Sequence, residues 1–562
     1  MKVPHPEYPR PQLQRDSYLN LNGEWFLGHH KQGEPLEYQH KIIVPFSPET
    51  KASGLGNFIL KPDEVLFYKR EFEIDANFLK EITFLHFGAV DYSCICYLNG
   101  IEVGYHQGGF LPFTFDVSKT IKFGKNEIRL TVTDPTDTGT QSRGKQKLKR
   151  GGIWYTPQSG IWQTVWMESV SNDYIKSIKM IPNIETKSLE IEIDTDSDVV
   201  SIQILDGNEI IAESSKKHAT LSIPNMILWT PENPKLYNIS IQSKDDKVFS
   251  YFGMRKFSIG YDGKFKRLYL NNKPYFHNGL LDQGYWSDSL LTPPDDESMI
   301  KEISLMKEMG FNTLRKHIKI EPLRWYYHCD RIGMLVWQDF VCGGGPYETW
   351  KVAYLPFIGW NTDDTKHRFL NRTDEVGKKE FISEMDQTVK LLFNTVSLAV
   401  WVLFNEGWGQ FDSIQLTKQL KHLDSTRTID SVSGWYDQGK NSSDLKSLHL
   451  YYQKLKVSKK DPRVIVLSEF GGYSLKTEGH VFDEKKLFGY KILPDKATLQ
   501  WEYQKLIENE LLPLINKGLS ASIYTQVSDV EEEINGLVTY DRKVVKFDIP
   551  FMKELNSKLK FN

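Results

Sequence analysis

The 562-residue sequence holds only four cysteines, Cys94, Cys96, Cys329 and Cys342. None has the C-x-x-C spacing of a thiolate metal site, and Cys94 and Cys96 stand too close on one strand face for an ordinary bridge. Four reduced, buried thiols are expected. Long apolar runs are missing as well. Nothing approaches the length of a membrane span, and the start, Met-Lys-Val-Pro-His-Pro-Glu-Tyr-Pro, lacks the apolar core of a secretory signal. A cytoplasmic enzyme without membrane association is the expectation. Nor is there a surplus of charge of one sign: the net charge of −3 gives no electrostatic case for nucleic acid or an anionic membrane as a partner. Aromatic residues, by contrast, make up 13% of the chain, with 14 Trp and 27 Tyr. They fill cores first, and a surplus also suits stacking against sugar rings.

A chain this long exceeds one hydrophobic core and divides into roughly three or four domains. From residue 1 to about 170 there are short alternating runs and no convincing helix. Examples are Ile42-Ile43-Val44, Leu66 to Phe72, Ile82 to Phe87, and Ser93 to Leu98 followed by the turn Asn99-Gly100. Asn-Gly between two such runs is a hairpin signal, so residues 1–170 read as a jelly-roll β-sandwich. The segment Arg143 to Gly152 is basic and glycine-rich and reads as a solvated, mobile loop. Its neighbour Ile153 to Trp162 is dense in aromatics and suited to reach another domain's site. Residues 171–260 again show only strands, which predicts an immunoglobulin-like β-sandwich closed by Phe252 to Phe257.

After Gly260 strands alternate with helices, the grammar of a parallel sheet. Eight strands can be counted: Tyr275 to Gln283, Thr313 to His317, Leu335 to Phe340, Leu398 to Glu406, Asp430 to Trp435, Ser447 to Tyr452, Val464 to Phe470 and Ser520 to Val527. Helical stripes fit Asp296 to Met309, Lys379 to Phe393 and Trp501 to Ile515, whereas the connections after the fifth and sixth strands are short for helices. Residues 261–562 therefore read as a (β/α)8 TIM barrel, with Val341 to Arg372 as a large loop on its active face.

Two of these strands end in carboxylates. Leu398 to Phe404 is an apolar run that stops at Asn405-Glu406, and Val464 to Ser468 runs into Glu469. A charge at the end of a buried strand is costly unless a site uses it. In a barrel, strand carboxyl ends converge on one face, so Glu406 and Glu469 face each other across its mouth. Such a pair suits a retaining glycosidase, in which one carboxylic acid protonates the leaving oxygen and the other, ionised, attacks the anomeric carbon. A carbohydrate-binding protein without catalysis is the competing class, but a pure binder needs neither glutamate.

The order of the three domains resembles glycoside hydrolase family 2, which contains β-galactosidases, β-glucuronidases and β-mannosidases. Local matches are Leu21-Asn22-Gly23-Glu24-Trp25, Gly160-Ile161-Trp162-Gln163, Asn312-Thr313-Leu314-Arg315-Lys316-His317, Trp401-Val402-Leu403-Phe404-Asn405-Glu406 and Ser468-Glu469-Phe470-Gly471. The resemblance implies Glu406 as general acid/base, Glu469 as nucleophile and Asn405 as a donor to the sugar 2-hydroxyl. Tyr451, or Tyr452 if the register slips, is expected to hold the nucleophile ionised, and His449 shares a strand face with Tyr451. Asp282, Arg315, His317, Asp339 and Trp435 stand at other strand ends. Arg315 is expected to position a glutamate, Asp339 to pair with Arg315 or His317 or, second, to contact sugar directly, and His317 to contact sugar or serve structure. Asp282 binds sugar hydroxyls or pairs with a cation, and Trp408 forms a stacking platform or site wall.

The pattern also departs from the family. The Asn-x-Lys signature of its β-glucuronidases becomes Asn535-Gly536-Leu537, and Glu531-Glu532-Glu533 nearby should repel an acidic sugar. A β-galactosidase is therefore the first expectation, ahead of a β-glucuronide, β-galacturonide or β-mannoside hydrolase. The histidine-rich motif of the metal-dependent β-galactosidases is replaced by Leu280 to Trp286, so no cofactor or metal is expected. A small β-glycoside is the expected partner, and the family resemblance implies a possible homo-oligomer.

Overall fold

A computed structural model describes residues 3–439, 441–457 and 461–561. Residues 1, 2 and 562, the ends of the expected first and last domains, lie outside the described residues. The chain starts as two facing antiparallel sheets. One holds Leu19–Asn20, Val165–Val170, Ile82–Phe87 and Phe113–Asp116; the other holds His40–Val44, Gly23–Lys31, Glu64–Ile74, Gly124–Thr133, Ser93–Leu98 and Ile101–Gln107. Alternation along each strand sends Trp25, Leu27, Tyr68, Leu85, Cys94 and Cys96 into a shared core. Asn99 and Gly100, with φ of 54° and 81°, turn between two of these strands as a hairpin requires. All four cysteines are free and buried, and burial pushes the Cys94 thiol up to about 12.

The second sandwich packs a three-stranded sheet against a four-stranded one around Ile178, Ile191, Ile202, Ile239 and Val248. Its last strand is Asp246–Phe252, so the strand expected over Phe252 to Phe257 is not formed. At Gly253 the chain instead runs close against the barrel: a Cβ there would sit 2.5 Å from Val396 and 3.1 Å from Trp229, where sandwich meets barrel. Phe257–Tyr261 pairs instead with Lys266–Leu270. This hairpin, which spans the boundary expected at 260, sends Phe257, Leu268 and Leu270 into one cluster with Trp337, Val400, Val466 and Ile523 of the barrel strands.

The barrel is an eight-stranded parallel sheet. In chain order its strands are His277–Asp282, Thr313–Lys316, Leu335–Asp339, Leu398–Asn405, Thr428–Ser433, Leu445–Leu450, Val464–Gly471 and Leu519–Thr525. Backbone ladders join every neighbouring pair except the fifth and sixth. That seam is stitched by side chains: the Ser447 hydroxyl donates to Asp430 at 2.7 Å, and Ser433 bonds His449 at 2.9 Å. Helices Asp296–Glu308, Glu375–Leu392 and Lys496–Lys505 start on Asp295, Asp374 and Asp495, whose carboxylates accept backbone N–H bonds. Leu323–Ile332 and Ser413–Leu423 are two further helices that patterning did not single out.

Candidate active site

The strand Leu398–Asn405 is buried along its whole length. Val400 and Val402 join the inner cluster, while Trp401 and Leu403 join the layer between sheet and helices. The chain then turns sharply: Glu406 and Gly407 take φ of 50° and 75°, the left-handed region that a glutamate seldom adopts. Tyr436 lies so close that a Cβ on Gly407 would meet its ring at 2.5 Å, so this turn requires glycine. The result lifts the Glu406 carboxyl above the strand end, where His449 Nδ1 bonds its Oε1 at 2.7 Å.

Glu469 arrives on the seventh strand with three partners. The Tyr451 hydroxyl donates to Oε2 at 2.8 Å, Arg315 Nη1 donates to Oε1 at 3.2 Å, and His449 Nδ1 stands 3.5 Å from Oε2. Carboxylate oxygens of Glu406 and Glu469 and a ring nitrogen of His449 all lie within 4.8 Å of one another. Arg315, 0% exposed, distributes its donors over three strands. It forks onto both oxygens of Asp339 at 3.0 Å, reaches Asn405 Oδ1 at 2.8 Å, and donates to the Ser468 carbonyl and Glu469. Because arginine only donates, the oxygen of the Asn405 amide must face it. Among the described residues Asn405 Nδ2 is left buried and without a partner.

The two carboxyls sit in opposite electrostatic settings. Burial pushes Glu406 up from the usual carboxylate range; the His449 bond partly opposes this, and the Glu469 charge adds to it. Burial pushes Glu469 up too, but the charges of His449, Arg315 and Lys145 outweigh it and hold this carboxyl below its usual range. The two settings thus push the carboxyls in opposite directions, Glu406 up and Glu469 down, the kind of division that acid/base and nucleophilic chemistry needs.

The other expected residues fall into three groups. Tyr451 and His449 both reach the carboxylates, and Tyr452 points away, 70% exposed. Tyr451 is braced by Thr525, whose hydroxyl lies at 2.7 Å, and by a stacked Tyr490 ring at 4.1 Å. His317 bonds Asp339 through Nδ1 at 2.7 Å, and burial holds this imidazole well below its ordinary range, so it is neutral. Trp408 forms a wall, buried against Trp154, Tyr347 and His317, and Trp435 stands edge-on to His449 with centroids 5.5 Å apart. Asp282 is the exception. Leu281 faces the inner cluster, so alternation turns Asp282 outward, where it pairs with Lys316 at 2.7 Å and bonds the Gly284 N–H at 2.9 Å. It belongs to a buried ion cluster with Lys316, Lys319 and Glu321, and its cation-pairing alternative is the one observed.

The basic segment 143–152 is not a solvated loop. Arg143, Lys145 and Gln146 are buried, and the Arg143 guanidinium donates to the Gly344 carbonyl at 2.6 Å and covers the Tyr347 ring. Trp154, from the aromatic stretch beside it, packs on Trp408 with centroids 5.1 Å apart, so the first domain builds part of the barrel's mouth. The glutamate run 531–533 anchors this loop. Glu531 accepts the Thr156 N–H at 3.1 Å and faces Arg150 at 3.6 Å; Glu532 pairs with Arg150 and accepts the Gly152 N–H; Glu533 accepts from the Tyr155 hydroxyl and from Asn535 at 2.9 Å. Lys145 and Tyr490 line the site without having been foreseen. The only sequence signal for Lys145 was the aromatic density beside a basic run, and Tyr490 lies in a stretch with no strand or motif to mark it.

A parallel barrel with two closely spaced glutamates at its mouth, in opposite electrostatic settings, is the arrangement of a carbohydrate-hydrolase type of site. Residues 263–561 match the description "Glycosyl hydrolases family 2, TIM barrel domain", residues 57–165 "Glycosyl hydrolases family 2, sugar binding domain", and residues 169–255 "Glycosyl hydrolases family 2". The chain belongs to glycosyl hydrolases family 2. A β-galactosidase of Thermoanaerobacter pseudethanolicus is 25% identical over 354 residues, covering 57% of this chain and 46% of that protein. The chain spans about half the length of the curated relatives it matches first. Among solved structures, a β-D-glucuronidase of Dictyoglomus thermophilum superposes with a TM-score of 0.76 at 20% identity, covering 98% of this chain and 99% of that one. A β-galacturonidase of Eisenbergiella tayi bound to galacturonate superposes with a TM-score of 0.71 at 17% identity, covering 98% and 99%. At these identities the structural likeness speaks for the fold alone.

Proposed function

We propose that the chain is a retaining exo-β-glycosidase, with Glu469 as nucleophile and Glu406 as general acid and base. The observation that supports this most is the approach of the two carboxylates, with oxygens within 4.8 Å. Retaining enzymes hold their pair about 5–5.5 Å apart, whereas inverting enzymes need about 6.5–9.5 Å to admit a water. Glu406 gives its proton to the glycosidic oxygen as Glu469 attacks the anomeric carbon, forming a glycosyl ester and releasing the aglycone alcohol. Glu406, now ionised, takes a proton from water, whose oxygen attacks the same carbon and frees Glu469. The unpartnered Asn405 Nδ2 is suited to donate to the sugar 2-hydroxyl, a contact that strengthens as charge develops on the ring.

Arg315, Asp339, His317, His449 and Tyr451 act in this reading by fixing the charges of the two carboxyls, and Trp408 and Trp435 by walling the sugar. A β-galactoside is the glycone suggested by the missing lysine at Leu537 and by relatives named β-galactosidase. The repulsion argument from Glu531 to Glu533 no longer supports it, because those carboxylates are engaged by Arg150, Thr156, Tyr155 and Asn535. Proton NMR of a nitrophenyl glycoside during turnover tests the stereochemistry: the β-anomer of the free sugar should appear first, and initial α-anomer would overturn the proposal.

A further inference from the structure

A chain of buried hydroxyls runs beneath the two glutamates, along the seam where the barrel lacks a backbone ladder. Asp430 and Ser433 stand on the fifth strand, Ser447 and His449 on the sixth and Ser468 on the seventh, all of them buried. The Ser447 hydroxyl bonds Asp430 Oδ2 at 2.7 Å, the hydroxyls of Ser447 and Ser468 lie 2.5 Å apart, and those of Ser468 and Ser433 2.9 Å apart. Ser433 then meets His449 Nε2 at 2.9 Å. On the far side of the ring, Nδ1 bonds Glu406 Oε1 at 2.7 Å and stands 3.5 Å from Glu469 Oε2. Asp430 Oδ1 has no partner among the described residues, so the carboxylate's bonding runs through Oδ2 into this chain.

The chain has a direction. A serine hydroxyl has one proton to give, and an ionised carboxylate only accepts. Burial pushes the Asp430 carboxyl up to about 6, which leaves it ionised at neutral pH. Ser447 therefore spends its proton on Asp430 and accepts from Ser468, which in turn accepts from Ser433. With its proton committed, Ser433 can only accept from His449 Nε2–H. Nδ1 faces the oxygens of Glu406 and Glu469, where a bare lone pair would repel an ionised carboxylate. Both ring nitrogens thus meet acceptors, an arrangement that suits the imidazolium. Asp339 and His317 also sense this ring, and Arg315 and Lys145 add their charges to the same carboxyls. Without the anion at its foot the hydroxyl chain could run in reverse, and a Ser433 that donates to Nε2 would leave the ring with one proton.

We infer that Asp430 is a positioning residue for the catalytic pair: through Ser447, Ser468 and Ser433 it directs the hydroxyl chain away from His449, so that the ring keeps both protons and its charge stands between Glu406 and Glu469. The inference rests on the glycosidase reading above. That charge favours the ionised form of Glu469 and limits how far burial raises Glu406. A carboxylate three hydroxyls away from the ring thereby sets the pH window of both glutamates.

The test follows kcat/KM against pH for the full chain on a nitrophenyl β-glycoside that the wild type turns over. It compares Asp430→Asn, Ser433→Ala, His449→Ala and the double variant Asp430→Asn/His449→Ala. The asparagine amide can donate as well as accept, so it no longer dictates the direction of the chain, and Ser433→Ala removes the acceptor of Nε2–H. In either single variant the ring loses charge and both carboxyls rise. The acidic limb, set by ionised Glu469, and the basic limb, set by protonated Glu406, should both move to higher pH by about one unit. The double variant should keep the limbs of His449→Ala alone, because Asp430 acts through that ring. Loss of the Asp430 charge acting directly on the glutamates would move both limbs to lower pH, and that result overturns the inference. So do limbs that stay fixed while kcat falls, or shifts that add in the double variant. Ser433→Ala removes one hydroxyl and decides the matter if Asp430→Asn does not fold. Any of these failures leaves the glycosidase reading standing. Absence of turnover of any β-glycoside by the wild type, together with no labelling of Glu469 by 2-fluoro sugars, removes that reading and the inference with it.

Discussion

Replacing Tyr451 with phenylalanine removes one hydroxyl and leaves the ring stacked on Tyr490. That hydroxyl donates to Glu469 Oε2 at 2.8 Å, and the Thr525 hydroxyl lies 2.7 Å from it. A hydrogen bond to a charged acceptor is worth about 1.5–3 kcal/mol, and each pKa unit corresponds to about 1.4 kcal/mol. Arg315 and His449 remain, so the Glu469 carboxyl should rise by roughly 1–2 units. The sign follows from which form works. Glu469 must be ionised to attack, so activity is present above its pKa and lost as pH falls through it. Raising that pKa moves the acidic limb of the kcat/KM profile to higher pH by the same roughly 1–2 units. The assay is kcat/KM against pH on a nitrophenyl glycoside the protein turns over, with the wild type measured alongside. An acidic limb that stays where it was, with unchanged kcat/KM, would refute the reasoning.

Three further outcomes are expected. His449→Ala takes away the bond that pulls Glu406 down, so the Glu406 carboxyl rises; because this acid must be protonated to act, the basic limb moves to higher pH, and a shift to lower pH contradicts the account. Glu406→Gln should cost about 10²–10⁴-fold on aryl glycosides with poor leaving groups. The loss should shrink for dinitrophenyl leaving groups, which depart without a proton, and a constant loss across a leaving-group series is the contrary result. Trp229→Ala removes a buried indole whose N–H bonds the Asp330 carbonyl across the sandwich–barrel junction, and should destabilise by about 3–5 kcal/mol in urea unfolding; a loss below about 1 kcal/mol would mean that the junction is not packed as described.

The sequence made the barrel legible because its strands are continuous apolar runs bounded by polar residues, and the expected ends of Leu398–Asn405 and Val464–Gly471 differ from the observed ones by one residue. The carboxylate pair followed from strand order alone, since parallel strands deliver their ends to one face. What escaped depends on distant chain. A basic run reads as solvated from its neighbours, yet Arg143 donates to a carbonyl two hundred positions away and Lys145 lies over the Trp408 ring. The run Glu531 to Glu533 looked like a repulsive patch, but its partners are Arg150, Thr156 and Tyr155 of the first domain. For Asp282 the two readings stayed open, although counting from the inward Leu281 turns it outward, toward the cation-pairing one. Tyr490 carries no local signal, because its importance comes from stacking on Tyr451.

The assignment of Glu469 as nucleophile is tested most directly by trapping the covalent intermediate. Incubation with 2-deoxy-2-fluoro β-glycosyl fluorides of the uronic and neutral sugars, followed by proteolysis and mass spectrometry, should find one sugar per chain on the peptide containing Glu469. Release of that label should proceed with return of activity. A label on another carboxylate, or full turnover of the reagent without any adduct and with inverted product, would contradict the account.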